Sequence, residues 1–325
     1  VLRTRAGSTV NHGGAGELAL SGAGLVLAGV LNTGGSLALS GGGAAMSLAP
    51  ELTDAQRGAL IQAGVAPALL DGNAANGELA VEAVLGGSIS ATAAAGLSLA
   101  FTAPVIGLGA ISSTGALQLQ AGAANGDALL LLGSLSAAGS LRLRSTSGSI
   151  RSGRISRITT AANAALDLDA AADAQLLGVI EVGGTTTLSA GGELLLDAPL
   201  TSAVSASLEA PTVRIGSAGG VVSQGDLSVE ATGSSDGQGL YSAGLLVAGG
   251  TVTPPAGLAL ADLLAPGAAI EAAPTAAGLV SSALRASNIT LLPDSNATLR
   301  LEAAAGADQL VLGGFSRLVD GQRLD

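Results

Sequence analysis

A short leucine motif returns along this chain at intervals close to twenty residues. Glu17-Leu18-Ala19-Leu20-Ser21-Gly22 is followed by Leu25-Val26-Leu27-Ala28-Gly29 and then by Leu31-Asn32-Thr33-Gly34-Gly35. The first motif then comes back as Ser36-Leu37-Ala38-Leu39-Ser40, with Leu37 placed 19 positions after Leu18. Leucines that alternate with a second residue have the period of a strand with one buried face. Glycines stand where the runs end, and a backbone without a side chain can turn where others would clash. Leu97/Leu99, Leu117/Leu119, Leu141/Leu143 and Leu166/Leu168 continue the motif; Leu79/Val81, Leu194/Leu196, Leu227/Val229 and Leu299/Leu301 are assigned to it as well. Shorter runs, such as Ala128–Leu132 and Val179–Val182, lie between them.

Two or three short strands per period, with the same motif back after three corners, are what a β-solenoid requires. A meander or sandwich also alternates, but it does not bring one motif back in this way. The expected fold is all-β: a right-handed parallel β-helix forming a single elongated domain over residues 1–325. With strands ~4.8 Å apart, about 14 coils would make a rod of ~65 Å.

Two stretches break the rhythm. Thr53-Asp54-Ala55-Gln56 has the form of a capping box, followed by good helix formers and by Gly64 as a stop. The sequence therefore predicts a helix over Asp54–Ala63, inside a helical insertion over 50–72 that replaces part of one coil. The second break, 233–287, contains Pro254, Pro255, Pro266 and Pro274. It is expected to be an irregular extra-coil segment, with a short helix at Leu258–Leu264 and with Tyr241 isolated inside it.

Composition narrows the class further. Hydrophobic residues make up 48% and aromatics 1%, so Leu, Val, Ile and Ala must fill a narrow interior in repeated layers. The 50 glycines follow no three-residue period, which excludes collagen. High apolar content argues against disorder. Twenty-four acidic and 13 basic residues give a net charge of −11, a poor match for nucleic acid. Every basic residue is Arg, and the absence of Cys excludes disulfides and thiolate metal sites. Mean hydropathy is +0.57, yet Gly, Ser and Pro break the apolar runs, so no transmembrane helix and no membrane insertion are expected. No signal peptide is read at Val1, and the missing initiator Met suggests a mature product or a fragment.

Gly16-Glu17-Leu18-Ala19-Leu20 and Leu31-Asn32-Thr33-Gly34-Gly35-Ser36-Leu37 resemble the repeats of the filamentous haemagglutinin family, large β-helical exoproteins of bacterial two-partner secretion. Autotransporter passengers look similar. As pattern the resemblance covers most of the chain; Asn32–Gly35, an Asn-x-Gly-Gly element, is its most specific part. It implies a secreted, fibrous, adhesin-like protein at the surface of a Gram-negative bacterium. No Arg-Gly-Asp tripeptide and no secretion or toxin module accompany it.

Candidate chemistry is sparse. His12 is the single histidine, and nothing near it resembles a nucleophile elbow, so no catalytic residue is assigned. Asp167, Asp169 and Asp173 have ligand types that Ca²⁺ accepts. However, Asp167 and Asp169 flank inward Leu168, and Arg142 and Arg144 flank Leu143 one coil earlier. Stacking predicts inter-coil ion pairs Arg142–Asp167 and Arg144–Asp169, and no resident metal or cofactor. Arg142, Arg144, Arg151, Arg154 and Arg157 form the one basic concentration, a candidate site for a polyanion such as a sulfated glycan. The sequons at Asn288 and Asn296 are read as chance matches in a bacterial chain.

The function expected is a non-enzymatic structural or adhesive fibre segment. It would associate end to end with itself or form part of a longer rod, with host or bacterial surface glycans as further partners. A polysaccharide-active β-helix enzyme and a glycan-binding module are the alternatives. Both 18–50 and 83–126 lack charge, so a smooth lateral strip through Ala19, Ala38, Ser98 and Gln118 is also expected.

Overall fold

Alternate leucines turn inward and stack turn upon turn. A computed structural model describes residues 1–42, 45–46, 53–62, 65, 67, 79–92, 96–233, 238–249, 289–291, 299–303 and 309–312. In it, parallel strands form a β-solenoid of about ten turns with one short helix. Each turn contributes to three ladders. The first contains Leu25–Leu27, Ala83–Leu85 and Val105–Gly107, in register. The second is a separate sheet of 11 strands, from Thr9–His12 to Ile289–Leu291. The third carries the leucine motif, with Leu117, Leu141 and Leu166 in one column and Leu119, Leu143 and Leu168 in the next. The strands Leu117–Leu131 and Leu141–Ser152 run round a corner and join the first and third ladders into one sheet of 17.

The interior is a continuous stack of aliphatic side chains. Leu119, Leu143, Leu168, Leu188 and Leu208 are all 0% exposed. The second ladder adds Ile89, Ile111, Ile158 and Ile180, branched side chains that suit a pleated surface. Each buried Leu contributes roughly 1.5–3 kcal/mol, repeated in every turn. In the first turn Leu2, Val10, Leu18 and Leu20 pack against this core but are only partly buried, because among the described residues no turn covers their other side.

Corner chemistry recurs with the turns. At the second corner Thr33, Ser113, Thr160, Ser202 and Ser223 point inward, where hydroxyls would normally be costly. Each donates to a nearby corner carbonyl, as Ser113 Oγ does to Ala116 O at 2.9 Å and Ser223 Oγ to Asp226 O at 2.9 Å. Thr33 Oγ1 donates to Gly35 O and accepts from Gly35 N, both at 3.1 Å, within the Asn-x-Gly-Gly element. Beside it, Asn32 Nδ2 donates to Asn11 Oδ1 of the previous turn at 2.8 Å.

Several sequence assignments shift. The partners of Leu166/Leu168 are Thr186/Leu188, not Leu194/Leu196. Leu194/Leu196 belong to the first ladder, beside Ala174/Leu176. Buried Thr186 stands where a leucine was expected and hides that copy of the motif. Leu79 is likewise not a rung: Leu79–Ala80 pairs antiparallel with Ala45–Met46. Because Leu27 pairs directly with Leu85, the excursion between them replaces no coil. It leaves the wall between two neighbouring turns and returns, so it is wider than 50–72. The count of 14 coils divided the whole chain by one period. The described residues form about ten turns, roughly 48 Å at ~4.8 Å per strand.

The helix α1 spans Asp54–Gln62. Its capping box is reciprocal: Thr53 N donates to Gln56 Oε1 at 3.0 Å and Gln56 N to Thr53 Oγ1 at 3.3 Å. Leu60, fully buried, packs with Val26, Val84, Ile106 and Leu130, the outward column of the first ladder. Sequence alternation gave that column no partner; α1 supplies it.

Of the segment 233–287, two pieces continue the walls and are not irregular. Gly239–Ser242 pairs with Thr212–Ile215, and Leu245–Ala248 with Gly220–Ser223. Tyr241 is 2% exposed, with the Arg214 guanidinium 4.3 Å from its ring centroid. The expected helix at Leu258–Leu264 and both sequons lie outside the described residues.

Candidate functional site

Outward positions on adjacent turns lie about one strand spacing apart, so charges in one column meet. Arg142 Nε stands 3.1 Å from Asp167 Oδ2, and Arg144 Nε 3.4 Å from Asp169 Oδ2. All four side chains are roughly half exposed, and such pairs add only ~0.2–1 kcal/mol each. Arg142→Ala should therefore lower stability by no more than ~1 kcal/mol. Chemical denaturation of the variant and of the Arg142→Ala/Asp167→Ala double variant measures the pair.

The five clustered arginines cover about one turn of sequence, and one turn runs once round the rod. Arg142 and Arg144 lie on the third ladder, Arg151 on the first and Arg157 on the second. Arg154 follows Arg151 at the corner. Each has a carboxylate partner: Arg151 with Asp127, Arg154 with Asp197, Arg157 with Glu181, besides the two pairs above. The arginines adjacent in sequence are thus spread over three walls, each facing an acid. Asp167 and Asp169 are held by these cations, and Asp173 lies elsewhere, its Oδ1 accepting from Glu193 N at 2.8 Å. Among the described residues no three metal-ligating side chains converge. His12 stays local, with Nε2 3.0 Å from Gly16 O.

Two features escaped the sequence reading. The first is Glu82, 3% exposed. Its Oε1 accepts from Gly41 N at 3.0 Å. Its Oε2 accepts from Thr102 N at 2.7 Å, Ala103 N at 2.8 Å and Thr102 Oγ1 at 3.1 Å. One carboxylate thus ties both ends of the excursion's neck to the next turn. Its partners are mostly backbone groups distant in sequence, and no side-chain motif announces them.

The second is a shallow depression of ≈ 210 Å³ lined by Asp127, Ser149, Arg151, Asp173, Gln175 and Glu193, among others. Burial pushes the Asp127 carboxyl above its ordinary value; Arg151 pulls it down and Asp173 pushes it further up. A folded-state value above the unfolded one means that the folded chain binds the extra proton. The cost is present in full above the folded value and fades as pH falls through it toward the ordinary carboxylate range. Relative to an Asp127→Asn variant, the unmodified chain should thus gain stability as pH falls through that window. Paired denaturation curves across acidic pH check this.

Solenoid, ion-paired flanks and shallow hollows together define a repeat protein of the parallel β-solenoid class. Among the described residues no helix is long and apolar enough to cross a membrane. Comparison with family models, curated proteins and solved structures finds no match.

Proposed function

We propose that the chain is a non-enzymatic, adhesive segment of a bacterial surface fibre, secreted by a Gram-negative cell, like the filamentous haemagglutinin repeats its sequence resembles. The observation that supports this is the shared register of the three ladders, kept turn upon turn except at the bulged corner 121–128. A stack of repeating turns is a unit that can lengthen, as part of one long chain or by end-to-end contact between copies. Surface glycans are the proposed further partners. Electron microscopy of the purified chain, with adhesion to glycan-coated surfaces, tests the reading. Rods that lengthen with concentration, or glycan adhesion, are the expected results. A monomer of fixed length that ignores glycan surfaces would overturn it.

The competing reading, a polysaccharide-active enzyme, draws on the raised Asp127 carboxyl beside Asp173, since perturbed acids gather at active sites. Polysaccharide cleavage that disappears in Asp127→Asn would favour it. Lateral bundling is a separate expectation of the fibre reading. Ala38 and Ser98 lie on the uncharged flank, Ser98 in register with Gln118. Ala38→Lys together with Ser98→Lys should thin bundled fibres and slow sedimentation, with little effect on folding. Unchanged thickness would mean that this flank is simply solvated.

A further inference from the structure

The corner formed by residues 121–128 is longer than the one stacked on it. Gly122 pairs with Ser147 and Asp127 with Ser149, so five steps on one strand oppose two on the next. The surplus bulges outward, and Ala124, Asn125 and Gly126 are exposed. Gly126 has φ +79°, and nothing lies within 4 Å of where its Cβ would stand. An asparagine followed by glycine on an open loop tip combines an accessible side-chain amide with a following backbone nitrogen that no side chain shields.

We propose that Asn125 is a site of spontaneous deamidation. The Gly126 backbone nitrogen, having lost its proton to solvent, attacks Asn125 Cγ. A C–N bond closes a five-membered succinimide, and the side-chain nitrogen leaves as ammonia. Water then opens the ring at one carbonyl or the other, giving aspartate or isoaspartate at position 125. No oxidant or reductant is involved. Each event adds one negative charge to a chain already at −11, two positions from Asp127 on the rim of the acidic depression. The added charge should push the Asp127 carboxyl further up, weakening its ionised contact with Arg151. The extra backbone atom of isoaspartate falls in the bulge, outside the paired rungs, so the solenoid can accommodate it.

Asn163 supplies the internal comparison. It is exposed and also has positive φ, 63°, but Ala164 follows it and is buried, which hinders ring closure. The intact folded chain would be incubated at mildly alkaline and mildly acidic pH and mapped by peptide mass spectrometry, beside an Asn125→Gln variant and the denatured chain. The expected result is conversion at Asn125 ahead of Asn163, faster at alkaline pH, with isoaspartate present and an acidic shift on isoelectric focusing. Asn125→Gln should lose the part of that shift due to this corner. Asn125 intact in the folded chain while the denatured chain converts there, or conversion no faster than at Asn163, would overturn the proposal. Neither outcome depends on the fibre reading.

Discussion

Gly109→Ala should split the wall between two turns and lower stability by more than about 3 kcal/mol, beyond what ordinary overpacking costs. Gly29, Gly87, Gly109 and Gly133 stack at the first corner. A Cβ on Gly109 would run into the Gly87 carbonyl oxygen, one on Gly133 into that of Gly109, and one on Gly87 into that of Gly29. The obstacle is backbone of the preceding turn, so no side chain can swing away. None of these four has a positive φ. Glycine is needed here because the next turn is close, not because the chain enters the left-handed region. Gly13→Ala is the control: its Cβ would meet nothing within 4 Å, and the change should stay within about 0.5 kcal/mol. Urea denaturation of the two variants, with hydrogen exchange around Ser88–Ala91 and Ser134–Ala137, gives the comparison. Equal stabilities would contradict the close stacking.

Leu143→Asp should cost more than about 4 kcal/mol and abolish cooperative folding of the central turns. Leu143 is 0% exposed, between Leu119 on one turn and Leu168 on the next. A carboxylate there would have aliphatic neighbours on both sides and no cation within the interior stack. Leu143→Ala, which leaves a cavity without burying charge, should cost about 2–5 kcal/mol. Since neighbouring turns share each interface, protection from hydrogen exchange should be lost first in the strands flanking position 143. An unfolding midpoint for Leu143→Asp close to that of the unmodified chain would rule out an inward Leu143.

The sequence carried the interior where it was leucine-rich. Leu117/Leu119 through Leu166/Leu168 could be read because alternation and burial coincide there. It failed at Thr186, where a hydroxyl occupies an inward position, and so placed Leu194 in the wrong ladder. Three of the five corner hydroxyls had a legible signal, Ser or Thr one or two residues before a glycine, in Thr33-Gly34, Ser113-Thr114-Gly115 and Ser223-Gln224-Gly225; Thr160 and Ser202 have no such glycine. Ion pairs Arg142–Asp167 and Arg144–Asp169 could be placed because they follow the register of buried neighbours. The spread of the arginines round three walls, the Glu82 tie and the burial of Asp127 depend on what stacks in space, which local pattern does not encode.

The junction between the second and third turns has a kinetic consequence. Val105 pairs with Ala83, 22 positions away, but Leu27 must find Leu85, 58 positions away. Loop closure over the longer span costs roughly 0.9 kcal/mol more in chain entropy. Between Ala83 and Ala248 the rod can zip by adding one short turn at a time; here, and again where Leu227 must find Leu299, 72 positions away, zipping must wait for a distant partner. The first two turns should therefore join the central stack late during refolding and detach from it early under mild denaturant, a weak seam beside central turns that add processively.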